Sequence, residues 1–184
     1  MPDLAQRYTA YMVRELPDDG NRYEVVHGEL LVTPAPRHRH QLVLGRLYAW
    51  LRGYLDGLGL ADAVLFSPAD ISWDDETLVQ PDVFVVASGE IDLEWPGIKT
   101  LVLAVEVLSP SSARADRVIK RRLYQERRVA TYWVVDIEGG LVEIWHPGDE
   151  RPEIITEVLR WRAESGAPEL AIDLAELFRE PRRP

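Results

Sequence analysis

Val79-Gln80-Pro81-Asp82-Val83-Phe84-Val85-Val86 and Leu101-Val102-Leu103-Ala104-Val105-Glu106-Val107-Leu108 are two apolar runs, each carrying one carboxylate. Both read as strands from their length and their content of Val, Leu and Phe. An acid in such a run is costly to bury unless its charge is compensated. Two of them, on runs that can pair as neighbours, suggest a shared cation. The chain then passes through Ser109-Pro110-Ser111-Ser112, whose hydroxyls are helix-start chemistry, into a basic helix. On that helix Asp116 and Lys120 stand four apart and share a face. Gln80–Lys120 is therefore read as a metal site with a lysine reaching in.

Upstream, residues 3–16 carry apolar positions at helical spacing, and Pro17-Asp18-Asp19-Gly20 breaks the pattern. Arg22–Val26 and Glu29–Val32 flank His27-Gly28 as a tight β-hairpin. From His38 to Leu58 apolar residues recur as one long amphipathic helix, stopped by Gly57 and Gly59. Short strands at 63–66 and 69–73 precede the two carboxylate runs. Downstream, the basic helix extends to about Arg128, with Val118, Ile119, Leu123 and Tyr124 as its buried side. Thr131–Val135 and Leu141–Trp145 follow as strands around a Gly139-Gly140 turn. One more strand from Ile154 to Leu159 and a closing helix near Leu174–Phe178 complete the chain. This order predicts an α/β (α+β) architecture, a mixed β-sheet flanked by helices, in one domain spanning 1–184.

The chain has 184 residues, enough for a sizeable core, and no cysteine, which excludes disulfides and thiolate metal ligands. No apolar run is long enough to span a membrane, and residues 1–6 lack the pattern of a signal peptide, so the expected location is cytoplasmic. A net charge of −10 argues against non-specific nucleic-acid binding over the whole surface. Residues 113–128 oppose it locally, with seven basic residues against two acidic ones. On charge pattern alone that helix reads as a solvated face. His38 and His146 are read as surface residues.

Two acids, a lysine and no cysteine fit metal-assisted phosphodiester hydrolysis better than acyl transfer. Pro81-Asp82 followed by an apolar strand bearing Glu106 resembles the PD-(D/E)XK nuclease superfamily. Tyr23-Glu24-Val25-Val26-His27-Gly28-Glu29-Leu30, Pro34-Ala35-Pro36 with His40, Gln80-Pro81-Asp82, Val105–Ser111 and Tyr132–Asp136 resemble, more narrowly, the Uma-type restriction-endonuclease family. The resemblance covers about residues 20–146. It implies a restriction-endonuclease-like core and a Mg²⁺- or Mn²⁺-dependent endonuclease acting on DNA. It further implies Asp82 and Glu106 as metal ligands and Lys120 as the catalytic cation. Leu108 stands where the superfamily places its lysine, and Lys120 on the following helix is the match for it. Asp116, Glu29 and His40 are auxiliary candidates, and Arg114, Arg117 and Arg121 are candidates for holding phosphates. Nucleases of this kind often act as two-fold homodimers, and Trp145 and Trp161, expected to be exposed, are candidates for that interface. The alternative is a catalytically silent binding or dimerisation module on the same fold.

Overall fold

The computed structural model describes residues 6–181. The helix expected at 3–16 is shorter among these, α1 (Ala10–Arg14), capped by the Thr9 hydroxyl; residues 3–5 lie outside the described part. The hairpin forms as expected, β1 (Arg22–Val26) against β2 (Glu29–Thr33). Its two-residue turn has positive φ at His27 (50°) and Gly28 (80°), the combination that lets twisted strands reverse tightly. The long helix is α2 (His38–Asp56), which buries Val43, Leu44, Leu47, Leu51 and Leu55 along one stripe. That stripe lies against β3 (Val64–Phe66), β6 (Val83–Val86) and β7 (Leu101–Val107).

The first carboxylate run is not one strand. It is divided into β5 (Thr77–Val79) and β6, and Gln80-Pro81-Asp82 bends between them. Pro81 has no N–H to give a ladder and a fixed φ, so it serves as the pivot. The two halves enter different sheets. β5 joins a four-stranded sheet in the order β2-β1-β5-β4, with β4 at Ile71–Asp74. β6 joins a six-stranded sheet in the order β10-β9-β8-β7-β6-β3, with β8 at Thr131–Asp136, β9 at Leu141–Trp145 and β10 at Glu153–Ile155. The bend therefore puts Asp82 at the seam of the two sheets.

In the six-stranded sheet β7 and β8 (Thr131–Asp136) are parallel, and every other pair is antiparallel. A parallel pair needs a crossover. Here it is a π-helical turn (Ala115–Lys120) running into α3 (Arg121–Glu126). The i→i+5 turn holds one more residue than an α-turn and shifts the phase of the helix. Asp116 and Lys120 consequently face inward and are buried, whereas Val118, expected in the core, is exposed.

β9 (Leu141–Trp145) pairs with β10 (Glu153–Ile155) at the sheet edge. The single strand expected at 154–159 is two strands, because β11 (Val158–Trp161) leaves the sheet and pairs with β12 (Leu170–Asp173). The closing helix is α4 (Leu174–Leu177). Trp145 and Trp161 are buried rather than exposed, 8% and 6% accessible, so neither supplies an interface. The Trp161 ring packs edge-on to Trp133 and Tyr54, and the Arg121 guanidinium lies 4.8 Å from the Trp145 ring centre. No helix among the described residues is long and apolar enough to cross a membrane.

Candidate functional site

Asp82 and Glu106 meet because β6 and β7 pair with Val83 opposite Val105, which sets Asp82 across from Glu106 just beyond the ladder. Asp82 replaces the missing backbone partner with its side chain. Its Oδ2 accepts the Val107 N–H at 2.8 Å and lies 3.1 Å from His40 Nε2. Its Oδ1 accepts from Arg22 Nη1 at 2.9 Å, and the same guanidinium nitrogen donates to the Gln80 carbonyl at 3.1 Å. His40 reaches this point from the first turn of α2, and Arg22 from the first residue of β1.

Glu106 Oε1 accepts from Lys120 Nζ at 3.0 Å and from the Tyr124 hydroxyl at 3.0 Å. Lys120 Nζ also lies 2.8 Å from Glu24 Oε2 and 3.4 Å from Asp116 Oδ1. The other oxygen of Glu24 accepts the Gln80 N–H at 2.7 Å. Asp82, Glu106 and Lys120 are 2%, 1% and 3% exposed. Lys120 thus points into the cluster from the helix, while Leu108, after β7, is half-buried against the core.

Four buried carboxylates (Glu24, Asp82, Glu106 and Asp116) share this space with two permanent cations, Arg22 and Lys120. Burial pushes the Asp82 carboxyl up, but the His40 hydrogen bond, the Arg22 charge and the Val107 N–H outweigh it and hold it at about 2. Glu106 goes the other way, well above the usual carboxylate range. Burial and the neighbouring Asp116, Asp82 and Glu24 charges exceed the pull of Lys120. Asp116 is raised for the same reasons, and its Oδ1 is buried with no hydrogen-bond partner. Lys120 is raised, because the three acids around it outweigh the burial that would discharge it.

The cluster carries more acid than its own cations balance. A divalent ion would offset that deficit, and Asp82 and Glu106 are the carboxylates placed to hold one, since such ions take one or two protein carboxylates. Among the described residues no three His, Cys, Asp or Glu side chains converge as a ready-made cage. Such an ion would therefore complete its shell with water and substrate oxygen. The cluster forms the floor of a cavity of about 500 Å³, rimmed by the Pro34–Arg37 and Ser109–Ser112 segments.

Of the residues singled out in the sequence, Asp82, Glu106, Lys120, Asp116 and His40 come together. Glu29 does not. It pairs with Val26 at the turn end of the hairpin and is exposed, and the hairpin acid in the cluster is Glu24. Arg117 and Arg121 are occupied elsewhere. Arg117 binds Asp136 at 2.7 Å and Glu143 at 2.6 Å, and Arg121 donates to Gln125 and to the Arg117 carbonyl. Arg114 is exposed and forms no ion pair among the described residues. Glu24, Arg22 and Tyr124 escape a reading of the sequence. Glu24 carries the same signal as Asp82, an acid within an apolar strand, and Arg22 lies two residues away on the same face.

Comparison with known proteins bears on the same architecture. The model of the Uma2 family, described as "Putative restriction endonuclease", matches residues 10–175. No curated protein matches the chain. A crystal structure from Anabaena variabilis ATCC 29413, described as a "putative nuclease belonging to DUF820", superposes with a TM-score of 0.75. That match covers 92% of this chain and 97% of the other at 18% identity, which makes it a likeness of fold. The ordered motifs, the two-sheet core and the family match agree, and the chain belongs to the Uma2 restriction-endonuclease family.

Proposed function

We propose that the protein is a Mg²⁺- or Mn²⁺-dependent endonuclease that hydrolyses phosphodiester bonds in DNA. The observation that carries this reading is the position of Lys120 Nζ, 3.0 Å from Glu106 although it comes from a helix and not from β7. Asp82 and Glu106 would hold the ion. When bound, it supplies charge to a phosphoryl oxygen and a water acidic enough to attack at neutral pH.

The protein's own groups do the rest. His40 and the Val107 N–H fix the Asp82 carboxylate, and Tyr124 fixes Glu106. Lys120 supplies positive charge where negative charge builds on the transferring phosphorus group. Asp116, one helical turn before Lys120, keeps that ammonium within the cluster. Arg22 balances Asp82 from the hairpin side. One domain is the reading of the whole chain, because a continuous core runs from Val26 to Leu177.

Supercoiled plasmid with Mg²⁺ or Mn²⁺ is expected to become nicked and linear, and EDTA or Asp82→Asn is expected to stop this while the protein stays folded. Equal nicking by Asp82→Asn would overturn the site. No nicking by the wild type with either ion would leave the silent module in its place.

A further inference from the structure

If the helix bearing the seven basic residues does not hold the phosphates, another surface must. A second cavity, of about 270 Å³, adjoins the first, and the two share Arg37, His40, Ser109 and Pro110 as a common wall. That wall is the start of α2. The helix is 19 residues long, no side chain caps its N-terminus, and its first turn contains no acid. Its first N–H groups carry the positive end of the helix dipole and have no intrahelical acceptors.

Two observations there are independent of the helix end. His40 is 93% buried, and while its Nε2 faces Asp82, its Nδ1 has no hydrogen-bond partner. Arg37, the N-cap residue, is exposed and makes no ion pair or side-chain hydrogen bond among the described residues, unlike Arg22, Arg117 and Arg121. Arg39, paired with Glu180, and Arg117, tied to Asp136 and Glu143, also line the second cavity, which leaves Arg37 as the unpaired cation of the wall among the described residues. Asp136 and Glu138 line it too, the former tied to Arg117.

The geometry points to a phosphate-binding subsite at the N-terminus of α2, centred on Arg37, over which a nucleic-acid strand passes from the site cavity into the second cavity. A strand laid this way presents one phosphate to the buried cluster and a neighbouring one to Arg37 and the helix N–H groups. This rests on the nuclease reading and gives its substrate a path.

The test is binding of a fluorescent single-stranded oligonucleotide across a salt series, in EDTA and again with Ca²⁺. Removing one cationic side chain that pairs with a phosphate lowers the log–log salt slope by about one. Arg37→Ala is expected to weaken binding several-fold and lower the slope by about one, and Arg37→Glu to weaken it further. Arg151→Ala, an exposed site on the β9–β10 turn, is the control and keeps the wild-type slope. Wild-type affinity and slope in both Arg37 variants would overturn the subsite alone. Absence of binding by the wild type under both conditions would overturn the nucleic-acid reading beneath it.

Discussion

The π-turn and α3 present two charged faces with opposite fates. The inward face places Lys120 among Glu24, Glu106 and Asp116, all buried, with fewer cations than acids. The outward face carries most of the positive charge, yet Arg117 is neutralised by Asp136 and Glu143, and Arg121 lies over Trp145. Charge density along the sequence marks the second face, and uncompensated charge in space marks the first. On the proposed reading a ligand is recruited by the imbalance, which makes the quiet-looking inward pair the functional one, while Arg117 and Arg121 brace β8 and β9.

The largest effect expected from breaking this contrast is at Lys120. Lys120→Met leaves three buried acids without their shared cation and should cost about 3–5 kcal/mol in urea denaturation, together with the loss of cleavage. A loss below about 1 kcal/mol, the range of an exposed pair, would mean that the inward face is solvated after all.

Next comes pH. Asp82 has a folded value of about 2 against an ordinary 3.8, so its stabilisation is complete above about pH 4 and disappears as pH falls through about 2. The amount is about 2 kcal/mol. Glu106 and Asp116 act oppositely. Their raised values let the folded protein keep protons that the unfolded chain has lost, so stability falls as pH rises through those values. The two trends oppose each other, so stability climbs with pH along the acid limb set by Asp82 and falls along the limb set by Glu106 and Asp116. Glu106→Gln should flatten the falling limb of the curve and leave the acid limb in place. Identical falling limbs in the variant and the wild type would assign the imbalance to other groups.

The smallest effect separates the two faces most cleanly. Arg117→Ala should lower stability by about 1 kcal/mol, as expected for a partly exposed ion pair, without changing the salt slope of DNA binding. A reduced slope would restore the outward face as a substrate grip.

Much of the framework is legible in the sequence because it depends on local chemistry. The stripe from Val43 to Leu55, the His27-Gly28 turn and the glycines after α2 each need only near neighbours in sequence. Asp82 and Glu106 are visible because a carboxylate in an apolar run is conspicuous wherever it lies. The failures have longer range. Pro81 signals a break, but that its two sides join separate sheets depends on where β1 and β7 lie. The π-turn that exposes Val118 adds one residue without any composition signal. The partners of Arg117, at Asp136 and Glu143, are 19 and 26 residues away, beyond any helical spacing rule. Trp145 and Trp161 look like surface aromatics as long as β11, which carries Trp161 to the core beside β12, is taken for the continuation of one strand.

The central claim is that the carboxylate excess around Lys120 exists to take a divalent ion, and calorimetric titration of the nucleic-acid-free protein with Mn²⁺ tests it directly. The account predicts saturable binding that weakens as pH falls, because the ligating carboxylates must be deprotonated, and loss of that binding in Asp82→Asn. A folded wild-type protein that takes up no Mn²⁺, or an Asp82→Asn variant that binds it equally well, would contradict it.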